Sequence, residues 1–158
     1  MANAKPLPEG YHSISPTLIC RGADSAIEFY KSAFGAVERS RMSTPDGKIG
    51  HAELMIGDSM IFLSDEMPQW GSVAPTAMGG FYLYLYVEDV DTVFNRAIAA
   101  GARSTMPVQD MFWGDRYGKL TDPFGYQWGV ATHTEDVTPE DMDRRAKAWM
   151  AKAAAAGQ

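Results

Sequence analysis

Two hydrophobic periods alternate along this chain, and each occurs twice in the same order. From Ser13 to Cys20 small polar and apolar residues alternate, the two-residue period of a half-buried strand. After Gly22 the period lengthens, and Ala26, Ile27, Tyr30, Ala33 and Phe34 fall on one face of a helix predicted from Ala23 to Phe34. Asp24 stands near its start and Gly35 just past its end, where their chemistry is favoured. Three strands are predicted next, Val37 to Met42, Lys48 to Ile56 and Ser59 to Ser64. The turn signals Pro45-Asp46-Gly47 and Gly57-Asp58 separate them.

Residues 66–80 interrupt this order. They are rich in Pro, Gly and Met without periodicity, and they read as a long loop of the kind that often carries function, with Trp70 as a possible lid or plug. The pattern then restarts. Phe81 to Val87 is an aromatic strand; Val90, Val93, Phe94, Ala97 and Ile98 mark a second amphipathic helix closed by Gly101. Ala102 to Val108, Asp115 to Thr121 and Tyr126 to Thr132 supply three more strands, with Asp122-Pro123-Phe124-Gly125 as the tight turn before the last. The glycines closing the two helices, Gly35 and Gly101, lie 66 positions apart, the mark of a duplicated supersecondary unit. The fold class is therefore α+β, two β-α-β-β-β modules forming curved mixed sheets around a cavity.

A third helix follows. Thr138 is its N-cap, Pro139 its first helical residue, and Asp141 stands three residues after the cap. Met142, Arg145, Ala146, Trp149 and Met150 share one face, which suits packing on the domain or on a partner subunit. The organisation is a flexible arm over 1–12, a domain over 13–136 (module 1 about 13–65, loop 66–80, module 2 about 81–136), and a C-terminal helix and tail over 137–158.

Composition narrows the partner. The 158 residues carry a formal charge of −6 with their cations scattered, against nucleic acid as a partner and in favour of a small molecule or another protein. Cys20 is the only cysteine, so no intrachain disulfide or cysteine metal cluster can form. No apolar run approaches the ~20 residues of a membrane span, and the N-terminus lacks a signal-peptide pattern. A cytoplasmic protein is expected.

Three segments carry a more specific likeness. They are Asp46-Gly47-Lys48-Ile49-Gly50-His51-Ala52-Glu53, Phe112-Trp113-Gly114-Asp115-Arg116-Tyr117-Gly118 and Asp122-Pro123-Phe124-Gly125-Tyr126-Gln127-Trp128. With the duplicated order of elements, they make residues 13–136 resemble the glyoxalase/bleomycin resistance/dioxygenase (vicinal oxygen chelate) superfamily, and within it PhnB-like relatives. The resemblance implies two half-sheets enclosing a cavity, a homodimer, and in metal-using members four ligands from the first and last strands of each module. Here those positions hold Ser15, Phe62, Tyr82 and Gly129, none of them a His or a carboxylate. No cofactor is expected; a divalent metal at a non-standard site stays open.

His51 and Glu53, at i and i+2 on a strand, point to one face and are candidates for an acid/base pair or a ligand-binding pair; the alternative is an ordinary polar pair. Asp115 and Arg116 are adjacent and face opposite ways, so only one can enter the cavity; Arg116 there would clamp an oxyanion. Tyr82, Tyr84 and Tyr86 share one strand face, and Tyr82, Trp113 and Trp128 are candidate ligand-lining aromatics. His12 and His133 are read as strand-entry and strand-end residues, and Cys20 as packed rather than nucleophilic. The expected function is small-molecule binding without the usual metal centre. The alternative is a lyase, isomerase or dioxygenase using Glu53 or His51 as base, or a non-standard metal.

Overall fold

The computed structural model describes residues 5–77 and 79–156. Its elements are β1 (Thr17–Cys20), α1 (Ala23–Phe34), β2 (Val37–Ser43), β3 (Ile49–Ile56), β4 (Ser59–Asp65), β5 (Leu83–Tyr86), α2 (Val90–Ala99), β6 (Arg103–Asp110), β7 (Asp115–Thr121), β8 (Gln127–His133) and α3 (Pro139–Ala156). The α+β class and the duplicated β-α-β-β-β order are as the periodicity predicts. Both four-stranded sheets are mixed and built alike, in the orders β1-β4-β3-β2 and β5-β8-β7-β6. In each, the first and last strands of the module pair in parallel and the other pairs are antiparallel.

The sheets differ from the expected curved enclosure. They are separate and open, and the recess that residues of both line, about 180 Å³, opens to the outside. The reason lies in what each module buries. On β3 the residues Ala52, Leu54 and Ile56 point to α1 and are buried, while His51, Glu53 and Met55 point the other way. On β8, Trp128 and Val130 face the helical side and are buried. Helices α1 and α2 pack against each other, so one core is shared on the helical side and the opposite face of each sheet stays open.

Helix N-termini are capped by carboxylates and a hydroxyl, one of them distant in sequence. The first turn of α1 has no cap of its own, because Gly22 adopts φ 87 and Asp24 pairs with Arg41. Instead Asp65, at the end of β4, accepts the amides of Gly22 and Ala23 at 3.2 and 2.9 Å and that of Ile49 at 2.7 Å. One carboxylate thus ties the helix N-terminus to two strands. Asp89 caps α2 through the Thr92 amide, and Thr138 caps α3 through the Asp141 amide, the latter as predicted. No residue of α3 is buried; Arg145 forks onto Glu135 at 2.7 and 2.8 Å, and Trp149 lies 5.7 Å from Phe112. The loop over 66–80 contains a short 3-10 turn, Pro68–Trp70, with Trp70 exposed; Met78 lies outside the described residues. So do residues 1–4 of the N-terminal arm, while Tyr11 is half-buried against β3.

A buried carboxylate joins the modules. Asp122 accepts hydrogen bonds from the Tyr30 hydroxyl at 2.6 Å, the Trp128 indole at 2.9 Å, and the amides of Phe124 and Tyr126 at 2.9 Å. Burial pushes its carboxyl above the ordinary value, and the four donors offset part of that cost. Around it Tyr30 and Phe34 of α1 pack on Trp128, at 5.6 and 4.8 Å between centroids. The Tyr126 hydroxyl bridges back to the Ile19 amide and carbonyl, both at 2.8 Å. Tyr30→Phe removes one hydrogen bond to a charged acceptor and should cost about 1.5–3 kcal/mol. A lower urea midpoint at unchanged slope would show it.

Candidate functional site

Each open face carries one cluster of polar and aromatic groups. On the first sheet, cross-strand pairing sets Glu53 opposite Phe62 and His51 opposite Met42. The Tyr11 hydroxyl, from the N-terminal segment, donates to Glu53 Oε2 at 2.6 Å, and His51 Nε2 lies 3.3 Å from Glu53 Oε1. The Phe62 ring sits 5.1 Å from the imidazole and 6.2 Å from the Tyr11 ring. The Tyr11 hydroxyl is the main cause holding the Glu53 carboxyl below its ordinary value, against the opposing effect of burial, with smaller help from His51 and Ser40. The predicted pair does share a face. The tyrosine that completes it came from the segment read as a flexible arm, and no pattern there marked it.

The second open face is an aromatic wall built around Asp115. Register places Tyr84 and Tyr86 of β5 beside Gly129 and Ala131 of β8, and these in turn beside Lys119 and Tyr117 of β7. All point away from α2. Asp115, only 2% exposed, accepts the hydroxyls of Tyr84 and Tyr86 at 2.9 Å and the Trp113 indole at 3.0 Å, all on Oδ2. His133 Nδ1 meets its Oδ1 at 2.8 Å, and His133 Nε2 meets Asp136 at 2.9 Å. Burial alone would raise the Asp115 carboxyl; the hydrogen bonds, led by that of His133, outweigh it and hold the group below its ordinary value. Burial, followed by the hydrogen bond to Asp115, pushes the Tyr84 hydroxyl up, so it stays protonated as a donor.

Gly129 shapes this wall. The Tyr117 ring lies flat against Tyr84, with centroids 5.1 Å apart and planes 8° from parallel. A Cβ at position 129 would stand 2.6 Å from the Tyr117 ring. The missing side chain is thus the space the ring occupies. Lys119 reaches over the same strand to hold its ammonium 4.3 Å from the centroid of Tyr82.

The remaining candidates divide between the two sides. Tyr82, Trp113 and Asp115 join the wall. Arg116 lies on the helical side, where its guanidinium engages Asp91 at 2.6 and 2.8 Å and Asp110 at 3.1 Å. Of the adjacent pair, Asp115 is therefore the one on the open face. Trp128 is a core residue, bonded to Asp122 and 3% exposed. It also backs a recess of about 180 Å³ shared with His12, Ile14, Pro16 and Tyr84. His133 has a larger part than a strand end suggests. The signal for it was in the hairpin: if Thr121 pairs with Gln127 around the Asp122 turn, Asp115 must pair with His133. Cys20 is fully buried, and its thiol is pushed up to about 12, chiefly by burial.

The four positions where metal-using members place ligands do not fit a divalent cation. Ser15 offers one hydroxyl; the Phe62 ring packs near Tyr11 and His51; Tyr82 already faces an ammonium; Gly129 has no side chain. Among the described residues no group of three or more His, Cys, Asp or Glu is placed to hold a metal ion. No helix among them is long and apolar enough to cross a membrane.

Two outcomes follow for the wall. His133 gains two carboxylate partners on folding, Asp136 foremost and Asp115 next, and its folded pKa is raised above 6.5. The stabilisation is fully present below the unfolded value and is lost as pH rises through the folded one. Urea midpoints should therefore fall over that window, and His133→Gln should flatten the fall. Gly129→Ala should displace the Tyr117 ring at a cost of about 1–3 kcal/mol, read as a lower midpoint and altered near-ultraviolet circular dichroism.

Comparison with known proteins bears on the whole of this architecture. A family model described as the glyoxalase/bleomycin resistance protein/dioxygenase superfamily matches residues 12–130. An uncharacterized protein of Mycobacterium bovis is 42% identical over 135 residues, covering 82% of this chain and 89% of its own. Among solved structures, protein PA1353 from Pseudomonas aeruginosa is similar with a TM-score of 0.65 at 27% identity, covering 78% of this chain and 99% of that one. TioX from Micromonospora sp. ML1 gives a TM-score of 0.61 at 27% identity, covering 77% and 98%.

Proposed function

We propose that this chain, which belongs to the glyoxalase/bleomycin resistance protein/dioxygenase superfamily, binds a small organic molecule on its open sheet faces without a resident metal. Within the superfamily we place it near the PhnB-like relatives, on the three segments around His51, Asp115 and Asp122. The observation that carries the reading is the wall of Tyr82, Tyr84 and Tyr86, backed by Tyr117, with Tyr84 and Tyr86 held by a buried carboxylate and the outer rings left open to a ligand. Tyr82, Tyr84 and Tyr86 are 43%, 38% and 60% exposed, although burying each would release more than ~1.5 kcal/mol. Such a face has its energetic use in contact with something else.

That contact is a ligand held between two copies. A single chain leaves both faces open, and a homodimer that brings the faces of two copies together encloses a site. Base chemistry at Glu53 is disfavoured. Its carboxyl is lowered rather than raised, chiefly by the Tyr11 hydroxyl at 2.6 Å, which makes it a weaker base.

A thermal-shift screen of small organic molecules, with light scattering and elemental analysis, tests the reading. The expected outcome is a dimer, no stoichiometric metal, and at least one ligand that raises the melting temperature. At 100 times Kd the stabilisation is about 2.7 kcal/mol. Tyr84→Ala should abolish that shift and Arg116→Ala, on the helical side, should leave it. Tightly held metal at one per chain, or a shift indifferent to Tyr84, would overturn the proposal.

A further inference from the structure

We propose that the aromatic wall recognises an organic oxyanion with a flat apolar body, and that Lys119 and Arg103 bind its charged end. This rests on the small-molecule reading above and adds the ligand's charge and shape to it.

The chain carries more acids than bases, a net −6, and several of its cations are held by carboxylates. Arg41 bonds Glu38 and Asp24, Lys31 bonds Glu28 and Glu38, and Arg116 bonds Asp91 and Asp110. Among the described residues Lys119 and Arg103, like Arg39, Lys48 and Arg96, have no carboxylate within ion-pair distance, and they differ from those in standing on the same face as the aromatic wall. In an acidic protein, two cations without acids on one face are a local reversal of the overall field.

Register brings them together. Arg103 is opposite Thr121, Thr121 is opposite Gln127, and Lys119 is opposite Gly129, two residues along the same strands. Their side chains therefore leave the sheet on the open face, roughly 7 Å apart along the strand direction. The acid on that face of β7, Asp115, stands four residues from Lys119, roughly 13 Å away along the strand. It is buried and already engaged by Tyr84, Tyr86, Trp113 and His133. It cannot neutralise the cationic end.

The surroundings suit an oxyanion. Arg103 lines a recess of about 220 Å³ with Thr121, Gln127 and the 75–77 segment. That volume is below the ~300 Å³ of a complete drug-sized pocket, so the recess holds a head group and the body lies elsewhere. A guanidinium gives the fork that a carboxylate or phosphonate accepts, and the Gln127 amide and Thr121 hydroxyl are further donors. Lys119 is held over the Tyr82 ring of the wall, two residues along β7 from Thr121 of the recess. An anion entering there exchanges a cation–π contact for an ion pair, and a flat body continues over Tyr82 and Tyr84.

Naphthoate and its uncharged counterpart naphthalenemethanol, titrated calorimetrically into the full-length protein, separate charge from shape. The wild type should bind the carboxylate about tenfold more tightly, as expected for a charge-assisted hydrogen bond, and added salt should shrink the difference. Arg103→Gln and Lys119→Met should each remove most of this preference while leaving the alcohol's affinity unchanged, and Lys119→Arg should restore it. That last readout distinguishes a lost contact from a damaged fold. Equal binding of the two probes by the wild type would overturn the oxyanion assignment and leave the small-molecule reading standing. A preference that survives both substitutions would do the same. Binding of neither probe would overturn both.

Discussion

The packing of α1 against α2 decides what every other part of this molecule can do. Each four-stranded sheet has two faces and one helix, so it can bury only one face within its own module. When the two helices pack on each other, both buried faces join a single core, and both remaining faces are left outside it. Asp122 fixes that arrangement. Its carboxylate takes donors from the helix of one module and from the turn and last strand of the other, so the two halves cannot move apart without uncovering a charge.

The two open faces descend from the same strand order and have diverged in chemistry. The first presents an ionised glutamate with a tyrosine and a histidine in contact with it. The second presents tyrosines around a carboxylate that is itself out of reach. The residues at the last strands, Phe62 and Gly129, occupy matching places in the two modules. One fills its place with a ring, while the other lends its space to the ring of Tyr117. Both places are therefore occupied by aromatic carbon, which offers a divalent cation no donor atom.

Asp115 shows how an exposed aromatic surface is made rigid without placing its most polar group on display. A buried carboxylate is costly alone, but four donors converge on it, and each donor is a ring that belongs to the wall or borders it. The hydrogen bonds fix the rotation of Tyr84, Tyr86 and Trp113, so the aromatic surface is ordered within the single chain. Gly114, beside it, has its carbonyl engaged by the amides of Thr134 and Glu135, which tethers the chain after β8 to this corner of the sheet.

Much of this was legible along the chain because it depends on near neighbours. The two-residue and helical periods mark the strands and helices, since side-chain direction repeats within a strand or a turn; α1 spans the predicted Ala23 to Phe34, and His51 and Glu53 share a face because strand alternation requires it. The hairpin around Asp122 likewise fixes that Asp115 meets His133. Other features depend on residues far apart in sequence. Local pattern cannot say that Tyr11 closes on Glu53, 42 residues away, or that Asp65 caps a helix begun 42 residues earlier. Nor could it choose which of Asp115 and Arg116 faces outward, because alternation gives two opposite faces without saying which one the helix covers. The helix packing made that choice. The sequence by itself determined the elements and their repetition; only the tertiary structure decided that the sheets stay open, because burial is a property of the assembled layers.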